Sequence, residues 1–426
     1  MDTTAKTFFT GLLKKELITA MGCTEPAAAA LAGAAARKEL GARPEKITIR
    51  ASRDIIKNAM HVGIPNTGLK GIAAAAALGI SGADPTESLS LLSHVSPEQE
   101  AEAAAYLNSG SVRLELAEGV PPIFIEVELE AGGQSACARV RDEHHKVSIV
   151  SRGADSAGDK SVDPEKTKAL ELLKLPLIWE YAGSVPLEDI AFLIDAAKTN
   201  LSIAQHSAEK GYGIGVGKAM LREQAGAAPG ELFRRGAALA AAASDARMAG
   251  CSMPVVINSG SGNQGITIAV PVIVLARGLK KSDEDLARAL CLANLTALMV
   301  TYRKDRLSAL CGAFTAAMGT AAGFIRLLGG NTDDITRAID NMVGNLTGIL
   351  CDGAKSSCAL KIYSCVEAAA MGVQLALTGR SVPSSEGIIG ESMESTLGII
   401  ERISHDGMVP LDKTVLEIML EKGNKR

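Results

Sequence analysis

The residues in this chain best suited to chemistry are its eight cysteines: Cys23, Cys137, Cys251, Cys291, Cys311, Cys351, Cys358 and Cys365. None belongs to a C-x-x-C pair, which disfavours zinc-ribbon and thioredoxin-type sites. One local set stands out: Cys351-Asp-Gly-Ala-Lys-Ser-Ser-Cys358, followed seven residues on by Cys365. Seven residues make two helical turns, so all three fit one helix face, with the first pair ~10.5 Å apart if the helix is straight. That is long for thiolates on one compact centre, although Asp352 and Gly353 offer a bend that would turn Cys351 back. Two readings fit this spacing. The cysteines pack as small hydrophobes against a neighbouring helix, the commoner fate of free cysteine. Alternatively, three thiolates hold an iron–sulfur cluster with one iron left open.

A second feature is Met253–Ile266, which holds a literal G-x-G-x-x-G at Gly260, Gly262 and Gly265. Alone that match is weak, and the alternating strands and helices of a dinucleotide-binding unit are missing around it. A glycine-rich loop with its N–H groups facing a small anion suits the segment better, with Asn258, Ser259, Ser261 and Asn263 adding side-chain hydrogen bonds. A tight structural turn fits equally well. The third feature is Met21-Gly-Cys-Thr-Glu-Pro26. Thr24 can cap a helix that Pro26 opens. Cys23 then sits at the positive end of the helix dipole, where a thiolate is favoured as nucleophile or general base. An ordinary cysteine in a cap turn is the plainer reading. His144 and His145 are adjacent, so in a strand their rings point to opposite faces, which argues against a shared metal. His61 opens a turn-rich loop, and His206 and His405 read as surface or core residues. Lys57 and Lys70 could form Schiff bases, but nothing around them singles them out.

These residues need elements to hold them. The spacing predicts helices over 5–20 and 24–40 and a strand over 46–51, then a loop, His61–Gly71, built from Pro65, Asn66 and Gly68. Residues 111–150 give three strand-like runs split by glycine and proline, the only dense β region. Gly153–Lys168 reads as a surface loop. Beyond Pro186 the pattern is helical, with helices expected over 187–209, 230–249, 285–302, 308–328, 333–344, 355–378 and 411–422. The expected fold class is α+β: an N-terminal part, 1–185, with helices and a small mixed sheet, and a larger, mainly α-helical part, 186–426.

Composition limits what such a chain can do. Its 426 residues carry 44 Lys plus Arg against 48 Asp plus Glu, a net charge of −4, and only 3% are aromatic. Without a basic block or stacking platforms, nucleic-acid binding is not expected. The apolar stretches are too short or too broken to span a membrane, and Lys14, Lys15 and Glu16 interrupt what would be a signal peptide. A cytoplasmic location is expected, where disulfides are rare.

Four segments together resemble the L-cysteine desulfidase family, a family related to the α chain of iron–sulfur L-serine dehydratases. They are Met21–Pro26, Lys57-Asn-Ala-Met-His-Val-Gly-Ile-Pro-Asn-Thr-Gly68, Val256-Ile-Asn-Ser-Gly-Ser-Gly-Asn-Gln-Gly265 and Cys351–Cys358. They occur in the family's order, and the resemblance runs from about residue 9 to 420. It implies a [4Fe–4S] cluster held by Cys311, Cys351 and Cys358, forty and then seven residues apart. Cys23 falls on the cysteine proposed as the family's catalytic base, and Cys365 becomes a packing residue.

The implied chemistry is β-elimination from a small amino acid, giving sulfide, ammonia and pyruvate. It requires a base for the α proton, a Lewis acid for the leaving group, and donors for the substrate carboxylate. The Asn258–Gly265 loop suits the last role, and Asn66, Thr67 and Asp352 are candidates for the ammonium group. L-serine dehydratase is the alternative within the class. A pyridoxal-phosphate lyase and a non-catalytic iron–sulfur or small-molecule-binding protein are the alternatives outside it. The expected partner is a small amino acid, with no nucleic acid or membrane; a homo-oligomer is compatible with everything above.

Overall fold

The structure, a computed structural model, describes residues 3–60, 62–151, 164–221 and 228–423. In chain order its elements are α1 (Thr3–Glu16), β1 (Thr19–Met21), α2 (Thr24–Leu40), β2 (Lys46–Ala51), α3 (Arg53–Ala59), α4 (Ile72–Ile80), α5 (Pro97–Asn108), β3 (Val112–Leu116), β4 (Phe124–Ala131), β5 (Gln134–Arg141) and β6 (Val147–Val150). There follow α6 (Pro164–Leu172), α7 (Leu175–Ser184), α8 (Leu187–Ile190), α9 (Phe192–Lys210), α10 (Val216–Leu221), α11 (Pro229–Met248), β7 (Pro254–Val256), α12 (Gly262–Gly278), α13 (Asp283–Lys304), α14 (Gly312–Leu327), α15 (Thr332–Leu346), α16 (Ser357–Ala376), α17 (Met393–Arg402) and α18 (Met408–Gly423). The fold is α+β, with a small sheet in the N-terminal part and a mainly helical C-terminal part.

The sheet has the order β3-β2-β4-β5-β6; β2 and β3 run parallel and the other neighbours antiparallel. Alternation sorts its side chains. Ile47 and Ile49, Val127 and Leu129, and Ala138 and Val140 are buried in one core. The opposite face carries a charge ladder in which Arg50 reaches Glu126 (2.9 Å) and Glu128 (3.0 Å), and Arg139 meets Glu126 at 2.6 Å. Alanine-rich α2 and α4 pack on the apolar face. They approach so closely that a Cβ on Gly79 would stand 2.0 Å from the Ala30 carbonyl oxygen, and one on Gly33 would stand 2.5 Å from that of Ala76. The alanine runs are therefore the condition for this backbone contact.

A second core joins α9 and α11 to α16. The ends of the chain cross between the two cores: Phe9, Leu12 and Leu13 of α1 pack in the helical core, while Leu416 of α18 packs in the sheet core. Helix α18 is also fastened to α3, where the Lys57 ammonium, 1% exposed, is paired with the Asp412 carboxylate and lies 3.7 Å from Asp54. Strand β1 pairs antiparallel with β7, Thr19 opposite Val256. That short pairing, which sets Met21 opposite Pro254, 233 positions away in the chain, lays the Cys23 segment beside the glycine-rich loop.

Several boundaries differ from expectation. The first helix ends at Glu16, because residues 19–21 are drawn into β1. The expected surface loop 153–168 is helical from Pro164; its part 152–163 lies outside the described residues. Helix α12 was not expected, since Gly262, Gly265 and Pro271 all disfavour helix. Gly265 is there for contact: a Cβ on it would lie 2.1 Å from the Val256 carbonyl oxygen.

Candidate active site at four helix N-termini

Four helices begin on one cavity of about 100 Å³. Cys23 is the N-cap of α2, Ser261 the N-cap of α12, Cys311 the N-cap of α14, and Cys358 lies in the first turn of α16. All four line the cavity, as do Cys351 and the cationic Arg247, Arg306 and Lys361. Each N-terminus directs unpaired N–H groups and about half a positive charge towards this space. The cavity is therefore built for anions, whether thiolate or carboxylate. Neither the Cys23 nor the Cys311 side chain is spent on a capping hydrogen bond.

Backbone pairing sets the three clustered cysteines. Leu310 and Leu350 form an isolated antiparallel bridge; the Cys311 N–H donates to Ile349 O (3.1 Å) and the Cys351 N–H to Ala309 O (2.7 Å). After Cys351 the chain turns at Gly353, whose φ is +88° and where a Cβ would stand 2.3 Å from the Lys57 carbonyl oxygen. Helix α16 then starts at Ser357, so Cys351 precedes the helix and the pair Cys351/Cys358 is not strung along one straight face. Cys365 is fully buried in the helical core, as the resemblance implied; Cys137 and Cys291 are buried too. Burial above all, then the neighbouring Cys351, pushes the Cys311 thiol up to about 12, and burial likewise raises Cys358.

The donor set fits an iron–sulfur cluster. Three free thiols face one cavity, and soft thiolates are the ligands such clusters take. Among the described residues no three His, Cys, Asp or Glu side chains converge tightly enough to hold a single metal ion. A cluster spreads its thiolates over different irons. Positive charge to balance it is at hand in Lys361, which is paired with Asp352 and lines the cavity, while burial holds the nearby Lys304 ammonium below the ordinary lysine value. Asp352 is thereby occupied by Lys361.

Elsewhere on this cavity the Cys23 thiol donates to Glu25 Oε2 (3.4 Å), and Asn58 Nδ2 donates to Glu25 Oε1 (3.0 Å). The Thr24 hydroxyl donates to Gly260 O (2.8 Å), tying the α2 start to the glycine-rich loop. Burial raises the Cys23 thiol well above its ordinary value, Glu25 adds to this, and Arg247 opposes it. Burial also works to raise Glu25, but His144 and several hydrogen bonds outweigh it and hold the carboxyl below the usual range.

Arg247, at the end of α11, donates to Asn263 Oδ1 and to Gly22 O, both at 2.7 Å; its Nε is buried without a partner. A Cβ on Gly262 would lie 2.6 Å from this guanidinium carbon, so glycine makes room for it. Of the loop residues expected to bind substrate, Ser259, Ser261 and Asn263 line the cavity. Asn258 does not: it is fully buried, donates to Asn294 Oδ1 (2.9 Å), accepts from Ser259, and so holds the loop from behind.

Asn66 and Thr67 are likewise not brought to this site. They line a separate, open cavity with Glu100, Tyr212 and Cys251. Their polar groups serve local turns, Thr67 bonding to Ile64 O and to the Leu69 N–H, and Asn66 to Ser93 O. His61 lies outside the described residues. Lys70 is exposed and Lys57 is locked to Asp412, so neither lines the cysteine cavity. Sequence reasoning passed over Arg247 and Arg306, weighed His144 only as an unsuitable metal ligand beside His145, and gave no role to Glu25 although it stands inside the Met21–Pro26 motif.

Over residues 86–417 the chain matches the family described as Serine dehydratase alpha chain. It is 39% identical over 417 residues to a UPF0597 protein of Oleidesulfovibrio alaskensis, covering 96% of this chain and 97% of that protein. It is 40% identical over 417 residues to the UPF0597 protein BF3560 of Bacteroides fragilis, covering 97% of each. A UPF0597 protein of Porphyromonas gingivalis is 37% identical over 432 residues, covering 99% of this chain and all of that protein. No helix among the described residues is long and apolar enough to cross a membrane.

Proposed function

The chain belongs to the serine dehydratase alpha chain family, and from that premise we propose that it is a [4Fe–4S]-dependent L-cysteine desulfidase. The family makes it a lyase of amino-acid catabolism; the cluster and the thiol substrate are the finer reading. Cys311, Cys351 and Cys358 would hold the cluster, which when bound supplies an open iron as Lewis acid for the departing thiol.

The remaining work falls to the chain's own side chains. The substrate carboxylate docks on the N-terminus of α12, where Ser261 and Asn263 offer hydrogen bonds and the unpartnered Nε of Arg247 offers charge. Cys23 lines the same cavity as these groups. As thiolate, Cys23 takes the α proton, the Cα–H electrons form the Cα–Cβ double bond, and the Cβ–S bond breaks. The resulting enamine hydrolyses to pyruvate and ammonia once released. The small cavity keeps bulk water from the reacting carbon, and the four helix dipoles favour both the thiolate base and the bound carboxylate.

One observation carries this reading: Cys23 and the three clustered cysteines, scattered over more than three hundred residues, line one cavity at four helix N-termini. The family's description favours a second reading, L-serine dehydratase, in which hydroxide leaves in place of hydrosulfide. Strictly anaerobic purification tests both. About four irons and four acid-labile sulfides per chain, with sulfide release from L-cysteine, supports the desulfidase. Pyruvate from L-serine in preference moves the assignment to the dehydratase. Iron with neither product leaves a binding protein, and turnover without iron removes the cluster from the proposal.

A further inference from the structure

We propose that Glu25 and His144 form the proton relay of Cys23, carrying its proton from the cysteine cavity to solvent. The proposal rests on the reading of Cys23 as the base. A base that takes a proton each turnover must lose it before the next. The Cys23 thiol already donates to Glu25 Oε2 at 3.4 Å, so the first transfer breaks S–H and forms O–H on Glu25. Glu25 and His144 line the same cavity without a direct hydrogen bond or ion pair, so a water in that cavity carries the proton from Glu25 to a ring nitrogen of His144, and His144 releases it to solvent. The solvent then supplies the protons taken up by the departing hydrosulfide and the enamine, so protons balance over the cycle.

Three observations place His144 in this path. It is 5% exposed, yet its Nε2 is buried with no hydrogen-bond partner, a cost that nothing in the resting arrangement repays. It lines two cavities at once: the cysteine cavity, and a smaller one of about 20 Å³ bounded by Lys15, Glu143 and His145, with room for a water. And the chain is bent to put it there. Asp142 takes a left-handed φ of +63° just after β5, and the turn beyond it sends His144 inward while His145 points out to Glu143 (3.3 Å). The charged and titratable groups that face His144 are Glu25 from α2, Arg306 from the loop after α13, Lys15 and Glu16 from α1, and its own neighbours Glu143 and His145. Burial holds its ring below the ordinary histidine value, with Glu25 opposing, which suits a neutral acceptor.

His144 acts through Glu25 and Cys23, so its test needs a readout other than rate. In the cluster-loaded protein, alkylation of Cys23 by iodoacetamide is followed against pH by mass spectrometry of the Cys23 peptide. L-cysteine turnover and iron content are measured on the same samples. His144→Ala, and His144→Gln as the variant that keeps the ring volume filled, should keep their iron and lose roughly 10²- to 10³-fold in kcat. Both should move the Cys23 alkylation profile away from that of wild type by about one pH unit or more. Glu25→Gln should separate the two readouts: removal of a negative charge speeds alkylation, while loss of the carrier slows turnover. Both His144 variants alkylating and turning over like wild type would overturn the relay. If wild type eliminates neither L-cysteine nor L-serine but the His144 profiles still shift, the relay stands and the assigned reaction falls.

Discussion

Leu310 and Leu350 meet in an isolated antiparallel bridge, and each hands its chain directly to a cysteine of the candidate cluster site. Backbone hydrogen bonds on either side, from Cys311 to Ile349 and from Cys351 to Ala309, set the spacing of those two thiols before any cofactor binds. Cys358 depends on a different device, the turn at Gly353 that docks on the end of α3. The three candidate ligands are thus positioned by two independent backbone contacts.

Replacing Cys351 or Cys358 by alanine is expected to drop iron and labile sulfide to well under half of the wild-type content after anaerobic purification. Cys365→Ala, two turns further along the same helix and buried in the core, should keep the full content and lose about 1–2 kcal/mol of stability from its small cavity. Equal iron in all three variants would remove the ligand assignment.

Cys23→Ala should retain the cluster and its absorption while elimination falls at least ~10²-fold, because the cavity loses the one lining thiol not assigned to the cluster. Wild-type turnover in this variant would show that another group takes the α proton.

Gly353→Ala tests the turn. Its left-handed φ and the 2.3 Å approach to the Lys57 carbonyl leave no room for a methyl group. The expected cost exceeds about 2 kcal/mol, with loss of iron. A variant with wild-type melting temperature and full iron would refute the account of how Cys351 and Cys358 come together.

Arg247→Gln removes charge from the wall where the substrate carboxylate is placed. KM should rise ~10-fold or more with iron unchanged, and kcat should fall less. A pure kcat effect with KM intact would assign Arg247 to Cys23 instead, whose thiol it also favours in the charged form.

Asp340, buried between α15 and α17 and accepting only from Thr396 (3.0 Å), is pushed up to about 6 by burial. Its folded value lies above its unfolded one, so the folded state binds more protons between about pH 4 and 6. Stability from this group is greatest below that window and declines as pH rises through it, by up to about 3 kcal/mol. Asp340→Asn keeps the acceptor for Thr396 and should raise the melting temperature at pH 8 but not at pH 4. The same gain at both values would show that charge burial is not the cause.

What the sequence disclosed depended on how local the signal was. The start of α2 is written in adjacent residues, and so is the glycine-rich loop before Ser261, but the N-cap of α2 is Cys23 and not the expected Thr24, whose hydroxyl is spent on Gly260 O instead of on the helix. The sheet was legible because alternation is a two-residue pattern. Helix α12 was hidden by Gly262, Gly265 and Pro271, residues that weaken an isolated helix yet here allow close packing of backbone and of Arg247. Asn66 and Thr67 misled because turn-forming residues look like ligands until their hydrogen bonds are traced to their own loop. Arg247 and His144 carried no local mark at all: one closes an alanine-rich helix and the other is one of two adjacent histidines, and only the β1–β7 pairing and the left-handed turn at Asp142 give them their places.

The pairing of Lys57 with Asp412 makes the order of synthesis matter. Lys57 is made early and Asp412 more than three hundred residues later, so until α18 leaves the ribosome the lysine has no carboxylate from that helix beside it. Gly353 docks on the carbonyl of this same lysine, and Asn58, next in line, steadies Glu25. The floor under both the ligand turn and the base is therefore fastened by one of the last helices to appear. A nascent chain stalled before residue 408 would hold every cysteine of the site and still lack this clasp.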